Sequence, residues 1–111
     1  MTDREYGLWL NNIPGIGYTY TQRLLDKFKT PREVFYVKEE ELIKIKGLQG
    51  KHISNIINSK DEYYIKKNME VLNNKGIKFV LRNEENYPKK LAEIYNPPHI
   101  IYYRGEFASR K

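Results

Sequence analysis

Apolar residues recur every third or fourth position through the first two thirds of the chain, a spacing that indicates amphipathic helices. We expect helices over residues 3–11, 18–28, from 31, from 39, over 51–58 and over 61–74. The side chains expected to face a core are Tyr6, Trp9, Leu10, Ile13, Leu24, Leu25, Phe28, Val34, Phe35, Leu42, Ile43, Ile45, Ile53, Ile56, Ile57, Ile65, Met69 and Leu72. The pattern predicts a mainly helical domain.

The ends of these helices carry recognisable signals. Pro14 disfavours helix at the residue before it, so the first helix ends ahead of that proline. Thr30 and Glu33 have the spacing of a capping box, and a proline follows the threonine. Acidic residues 39–41 suit the positive end of the fourth helix, and Gly76 stops the sixth.

The pattern changes after the sixth helix. Residues 77–81 and 100–103 are strand-like, and a short helix is expected between them from 88 to 94. This order predicts the first step of a crossover unit in an α/β sheet. Two strands are too few to bury both faces, so the sheet is incomplete or packs as an appendage on the helices. We therefore divide the chain into a helical domain, 1–75, and a truncated α/β part, 76–111.

Composition narrows the class of protein. The chain has 111 residues, 40% hydrophobic residues, no cysteine and a net charge of +6. The start is acidic and polar, unlike a signal peptide, and no run approaches the roughly 18 apolar residues of a membrane span. We expect a soluble, cytoplasmic protein with no membrane partner. The charge suits a polyanion such as DNA, although a lysine-rich surface alone would give the same balance.

A repeat with an offset of 32 residues is the strongest internal signal. In each copy an apolar residue, a variable residue, a glycine and a second apolar residue link two helices, and an apolar pair follows nine residues after the glycine. The equivalent residues are Gly15 and Gly47, Ile16 and Leu48, and Leu24-Leu25 and Ile56-Ile57.

Such a turn can bind an anion. Glycine allows a close approach to the backbone, and the following helix presents unpaired amides and its positive dipole end. Ile16 or Leu48 should point inward and lock its two helices, and binding through phosphates would not depend on base sequence. A tight turn without any ligand is the alternative. The candidate DNA-binding residues are Gly15, Ile16, Gly17, Tyr18, Thr19, Arg23, Lys46, Gly47, Leu48, Gly50 and Lys51.

Other chemistries lack support. The two histidines, His52 and His99, are far apart in sequence, and no cysteines or suitably spaced carboxylates accompany them. We expect no metal, no cofactor and no catalytic residue, and we interpret His52 as a surface histidine at the start of the fifth helix. Tyr18 and Tyr20 flank the first turn, where packing is the expected role and base stacking the alternative.

The two turns resemble the helix-hairpin-helix motifs of DNA repair and recombination proteins. The first fits the motif well, whereas the second has Gln49 in place of the second glycine and Gly50 displaced by one. The later part, with Asn86-Tyr87-Pro88-Lys89-Lys90-Leu91, Asn96-Pro97-Pro98 and Ile101-Tyr102-Tyr103-Arg104-Gly105, is similar to the start of the extended Rossmann-like domain in the DprA/Smf family. The order of parts also matches, since a sterile-alpha-motif-like or helix-hairpin-helix domain comes first in that family.

The resemblance implies a recombination mediator rather than an enzyme. DprA-like proteins bind incoming single-stranded DNA in natural transformation (competence), protect it and help load the RecA recombinase. Their main single-strand pocket lies beyond the position of Gly105, and Ser109-Arg110-Lys111 echoes its motif too faintly to carry a pocket residue over. The implied partners are single-stranded DNA, with double-stranded DNA as an alternative, and RecA or other recombination proteins, with a homodimer left open.

Two rival functions remain open. A protein-interaction or dimerisation module would contact no DNA and would need an exposed apolar patch, with Trp9 or Phe35 as candidates. DNA binding instead requires Gly15 and Gly17 to be exposed. An accessory domain of a nuclease or ligase is a third possibility, because repair enzymes share such hairpins, but the Tyr-Pro and Pro-Pro stretch argues against it.

Overall fold

A computed structural model describes residues 1–105, so the Ser109-Arg110-Lys111 echo lies outside the described residues. The elements in that range are α1 (Asp3–Leu10), α2 (Tyr18–Phe28), α3 (Pro31–Tyr36), α4 (Glu39–Ile43), α5 (Gly50–Asn58), α6 (Glu62–Asn74), β1 (Lys78–Leu81), α7 (Lys89–Ala92) and β2 (Ile100–Tyr103). None of these helices is long and apolar enough to cross a lipid bilayer.

The predicted helices are confirmed, and their caps explain where they begin. The Thr30 hydroxyl accepts a hydrogen bond from the Glu33 amide at 3.2 Å, as the sequence suggested for α3. The return bond that would complete the predicted capping box is not among the bonds of α3. A complete capping box, not predicted from the sequence, starts α1: Glu5 N–H donates to the Thr2 hydroxyl, and Thr2 N–H donates to the Glu5 carboxylate. Side chains that satisfy the unpaired amides of a first turn fix the start of a helix.

The first compact unit, Met1–Ile65, holds one hydrophobic core. Its buried members come from α1 to α5, from the turns that follow α1 and α4, and from the first turn of α6. They are Trp9, Leu10, Ile13, Leu24, Val34, Leu42, Ile45, Leu48, Ile53, Ile56 and Ile65. Two polar contacts tie distant segments of this unit: Trp9 Nε1 donates to the Ser59 carbonyl at 2.9 Å, and Lys60 Nζ donates to the Val37 carbonyl at 3.0 Å. Burial lowers the pKa of Lys60.

One predicted core residue is wrong. Ile43 is 62% exposed, whereas its neighbour Leu42 is fully buried. Successive residues of an α-helix point about 100° apart, and the orientation of α4 that directs Leu42 inward leaves Ile43 on the solvent side. Ile45, three positions after Leu42, is the second inward residue of this segment.

The second compact unit begins at Lys66, within α6, whereas the sequence suggested a boundary after residue 75. Its two strands pair antiparallel, with Lys78 opposite Tyr103 and Leu81 opposite Ile100, so the predicted parallel crossover is wrong. Residues 82–99 form a wide loop between the two strands. The Arg82 N–H donates to the His99 carbonyl at 2.9 Å and closes this loop at its base. The structure here is a small antiparallel appendage of two strands.

Candidate nucleic-acid interface

Helices α1 and α2 and the turn between them, residues 11–17, are called the first hairpin. Its centre is Gly15, whose φ of +78° lies in the left-handed region that favours glycine. Ile16 N–H donates to the Ile13 carbonyl at 3.2 Å and closes the turn. Ile13 is buried in the core, and Ile16 is partly buried against it. The turn is anchored from within and keeps its glycines outside.

Helices α4 and α5 and the turn between them, residues 44–49, are the second hairpin, and its turn has the same geometry. Gly47 has a φ of +86°, and Leu48 N–H donates to the Ile45 carbonyl at 3.2 Å. Leu48 is buried in the core cluster. Both apolar turn residues therefore point inward, as predicted, and the repeat is structural as well as sequential.

Each hairpin is held by a polar side chain from the other. Asn55, on α5, donates from Nδ2 to the Pro14 carbonyl of the first hairpin at 3.0 Å. Arg23, on α2, donates from Nη1 to the Lys46 carbonyl of the second hairpin at 2.8 Å. Donors and acceptors are both related by the offset of 32 residues, so the two bonds are equivalent. Asn55 was missed in the sequence, although its offset from Arg23 could have drawn attention to it.

Equivalent residues also meet each other between the hairpins. The rings of Tyr20 and His52 lie 4.4 Å apart between centroids, and these positions are 32 residues apart. Leu24 and its equivalent Ile56 are both fully buried. This contact between equivalent residues, together with the reciprocal bonds of Arg23 and Asn55, indicates an approximate twofold axis that relates the two hairpins within the first unit.

His52 corrects the sequence interpretation of a surface histidine. It is only 7% exposed, and its Nδ1 accepts a hydrogen bond from Gln49 N–H at 2.9 Å. The imidazole therefore serves the start of α5 from inside the protein, where its ring packs on Tyr20. The bonded histidine has an internal role and is not placed to reach a ligand at the surface.

The N-termini of α2 and α5 are both open to solvent. Gly17 is the N-cap of α2, makes no side-chain cap and has nothing within 4 Å of the place a Cβ would occupy. Gly50, the first residue of α5, has the same open surroundings. The positive end of the α2 dipole is thus reachable by an anion, whereas at the start of α5 the His52 imidazole already accepts the Gln49 amide.

Charge within the first unit is segregated. The hairpin segments, defined as residues 11–29 and 44–58, carry six basic residues and one carboxylate, Asp26. The rest of the unit carries four basic and eight acidic residues. Although the unit as a whole is almost neutral, its basic charge is concentrated on the segments that contain the two turns.

The structure leaves most of the predicted binding residues at the surface. Ile16 and Tyr18 are half-buried and Leu48 is buried. The exposed ones are Gly15, Gly17, Thr19, Arg23, Lys46, Gly47, Gly50 and Lys51. Lys46 and Lys51 take part in no ion pair within residues 1–105, whereas Lys44 Nζ lies 3.3 Å from a Glu41 carboxylate oxygen.

The two aromatic residues suggested for an exposed apolar patch do not form one. Trp9 is 3% exposed, and Phe35 is partly buried against the core. Their ring centroids lie 5.1 Å apart in an edge-on arrangement, and Tyr6 packs on the other side of Phe35 at 5.3 Å. In the part of the chain that the structure describes, no group of three or more His, Asp or Glu side chains could hold a metal ion.

The fold defines a helical unit with two equivalent hairpins, followed by a small two-stranded unit. Over its whole length the chain is similar to Protein Smf of Synechocystis sp., with 26% identity over 113 residues, which make up 28% of that protein. This similarity supports a relationship to the DprA/Smf family of DNA-processing proteins. The chain therefore spans less than a third of the length of this relative.

A second similarity is local. UvrABC system protein C of Chlamydia trachomatis is 47% identical over 49 residues, or 44% of this chain and 8% of that protein. The same protein of Chlamydia muridarum is 45% identical over a stretch of the same length. No family model matches the chain, and no solved structure matches it.

Proposed function

We propose that the first unit binds DNA through its phosphate backbone, without reading base sequence and without catalysis. The two hairpins act as helix-hairpin-helix motifs in this proposal, and the chain is the N-terminal part of a DprA/Smf-like DNA-processing protein. The observation that carries the proposal is the concentration of basic charge on the two segments that hold the exposed glycine turns.

Electrostatics supports this choice of surface. Six basic residues against one carboxylate on the hairpin segments attract a polyanion, while the acidic remainder of the unit repels it. The DNA would therefore approach the unit from the hairpin side. Lys46 and Lys51 are the best placed to neutralise phosphates, because both are exposed and neither has an acidic partner in residues 1–105.

The backbone supports it as well. Gly17 leaves the N-terminus of α2 without a side chain above it, so a phosphate oxygen can approach the amides of the first turn. Thr19, exposed in that turn, adds a hydroxyl donor. Gly50 leaves α5 similarly open, and there Lys51 supplies a charge at the next position. Contacts of this kind fix the position of a duplex or strand without discriminating between bases.

The comparison with Smf extends the proposal to a longer protein. In that protein we propose a role in natural transformation and recombination, in which single-stranded DNA is protected and RecA is loaded. The two-stranded unit would then be the beginning of the Rossmann-like domain. The local similarity to UvrABC system protein C is compatible with a hairpin unit that occurs in more than one protein context.

The experiment is fluorescence anisotropy of labelled single- and double-stranded oligonucleotides at two salt concentrations. Gly17→Glu and Gly50→Glu each place a carboxylate over one helix N-terminus, at positions where the new Cβ meets nothing within 4 Å. Binding by the unchanged chain should weaken with salt, and each variant should bind less tightly. Gly15→Glu would be a poor choice, because the positive φ of Gly15 disfavours any side chain.

Tyr63→Glu is the matched control. It adds the same charge to the same unit at a side chain that is 73% exposed, next to Asp61 and Glu62 and outside the hairpin segments. The control should bind as the unchanged chain does, and circular dichroism should show all three variants folded. If the folded, unchanged chain binds neither oligonucleotide at low salt, the proposal is wrong and a protein-interaction or dimerisation module takes its place.

A further inference from the structure

Arg23 is the basic residue nearest in sequence to the turn of the first hairpin, yet its guanidinium contacts the turn of the second hairpin. Nη1 donates to the Lys46 carbonyl at 2.8 Å, and the guanidinium carbon lies 5.6 Å from the centre of the Tyr20 ring. The same nitrogen lies so close to the place of a Cβ on Gly47 that a side chain there would require a shift. Arg23 therefore packs closely against the glycine and bonds the carbonyl of the residue before it.

Asn55 does the same for the first hairpin with a shorter, uncharged side chain. Its Nδ2 bonds the Pro14 carbonyl at 3.0 Å and lies 3.0 Å from the place of a Cβ on Gly15. Asparagine carries no charge that could pair with a phosphate. Since an uncharged residue does this work at one of two equivalent positions, the charge of Arg23 is not what the position requires.

We propose that Arg23 and Asn55 are positioning residues, each of which fixes the turn of the opposite hairpin so that both hairpins present their amides together. Arg23 thus acts on DNA binding through the second hairpin rather than as a phosphate partner. The expected effect of these two residues on DNA binding rests on the proposed function, whereas their expected effect on the conformation of the turns does not.

The equivalence of positions 23 and 55 suggests a substitution that separates the charge of Arg23 from its hydrogen bond. Asn55 spans the distance to its carbonyl, so an asparagine at the equivalent position 23 should span the distance to the Lys46 carbonyl. Arg23→Asn removes the charge and keeps the hydrogen bond, whereas Arg23→Ala removes both. Asn55→Ala removes the bond to the first hairpin without changing any charge.

The first readout is amide hydrogen exchange followed by nuclear magnetic resonance on the full chain. In Arg23→Ala the amides of residues 47–49 should exchange about three- to tenfold faster, the factor that one ordinary hydrogen bond implies. Arg23→Asn should leave them unchanged, and Asn55→Ala should speed exchange in residues 15–17 instead. Equal exchange in Arg23→Ala and the unchanged chain would overturn the positioning role. Faster exchange in Arg23→Asn would overturn the conclusion that an uncharged donor is enough at position 23.

The second readout is the salt dependence of DNA binding. Arg23→Asn and Arg23→Ala carry the same charge, so Arg23→Asn should bind more tightly than Arg23→Ala, and Asn55→Ala should bind more weakly than the unchanged chain. If Arg23 acts only as a phosphate partner, Arg23→Asn and Arg23→Ala instead bind equally weakly, each with a slope lowered by about 0.9, which overturns the inference. If the unchanged chain does not bind DNA, the proposed function fails, and the exchange rates alone decide the positioning role.

Discussion

Tyr20 and His52 pack their rings together at 4.4 Å, although each belongs to the second helix of a different hairpin. The two residues occupy equivalent positions of the repeat, so the approximate twofold axis of the first unit passes between them. His52 also accepts a hydrogen bond from Gln49 N–H. The equivalent residues of the first hairpin are Tyr20 and Gly17, and the Tyr20 ring has no nitrogen that could accept such a bond. The axis thus relates two turns with alike backbones and unlike caps.

The ring contact should appear as an energetic coupling. We expect Tyr20→Ala and His52→Ala to destabilise the chain less together than the sum of their separate effects, with a coupling of about 0.5–1.5 kcal/mol. Urea unfolding of the two single variants and the double variant measures it. Tyr63→Ala, at a 73% exposed side chain, combined with His52→Ala is the control pair and should be additive.

The two central turn glycines should resist substitution. Gly15→Ala and Gly47→Ala place a Cβ at positive φ and against the donor from the opposite hairpin, so each should cost at least about 1–2 kcal/mol. Gly50→Ala lies in open space at the first position of α5 and should be neutral or slightly stabilising. A urea midpoint for Gly47→Ala that matches that of Gly50→Ala would contradict this account.

The lysines of the second hairpin should contribute separately to the salt dependence of DNA binding. Lys46→Ala and Lys51→Ala should each lower the slope of log affinity against log salt by about 0.9 on double-stranded DNA. Lys44→Ala is the matched control, because Glu41 already neutralises Lys44 at 3.3 Å, and its effect should be smaller. If Lys46→Ala and Lys51→Ala both keep the slope of the unchanged chain, the phosphate contacts lie elsewhere.

Stability at alkaline pH should depend on Tyr6. The hydrogen bond between the Tyr6 and Tyr36 hydroxyls, 2.9 Å long, and secondarily burial raise the pKa of Tyr6 above its ordinary value of 10.0. Folding therefore favours the protonated phenol. Its contribution is complete below pH 10 and is lost as the pH rises through the raised pKa, because the unfolded chain loses its proton first.

The test is urea unfolding of the unchanged chain and of Tyr6→Phe between pH 8 and about 10.5, on both sides of the ordinary tyrosine pKa. The free energy of unfolding should fall less steeply with pH in Tyr6→Phe. Tyr63→Phe, at an exposed position, should keep the slope of the unchanged chain. Identical slopes for Tyr6→Phe and the unchanged chain would show that the hydroxyl pair does not control the alkaline response.

Local signals were enough to predict the helices and the repeat. The bounds of α2 agree with the prediction at both ends, because helical spacing, a glycine before Tyr18 and the end of the apolar stripe at Phe28 all act within a few residues. The shared geometry of Gly15 and Gly47 follows from the same local requirement for positive φ. The inward orientation of Ile16 and Leu48 follows from the turn itself.

Features that depend on contacts between distant segments were not predictable. Short, continuous apolar runs define β1 and β2 but do not set their direction, which here depends on how residues 82–99 close into a loop. The burial of His52 depends on a ring supplied by the other hairpin. The bonds of Arg23 and Asn55 join side chains to carbonyls more than twenty residues away, beyond the range of any local pattern.

The exchange of Arg23 and Asn55 between the hairpins has the form of an isologous interface, in which residue i of one partner contacts residue j of the other and the reverse contact also forms. Neither hairpin contains the donor that fixes its own turn. A single hairpin of this kind would therefore be complete only when paired with another copy. The first unit corresponds to such a dimer joined by a covalent linkage, and its two halves carry different caps, glycine in one and glutamine with histidine in the other.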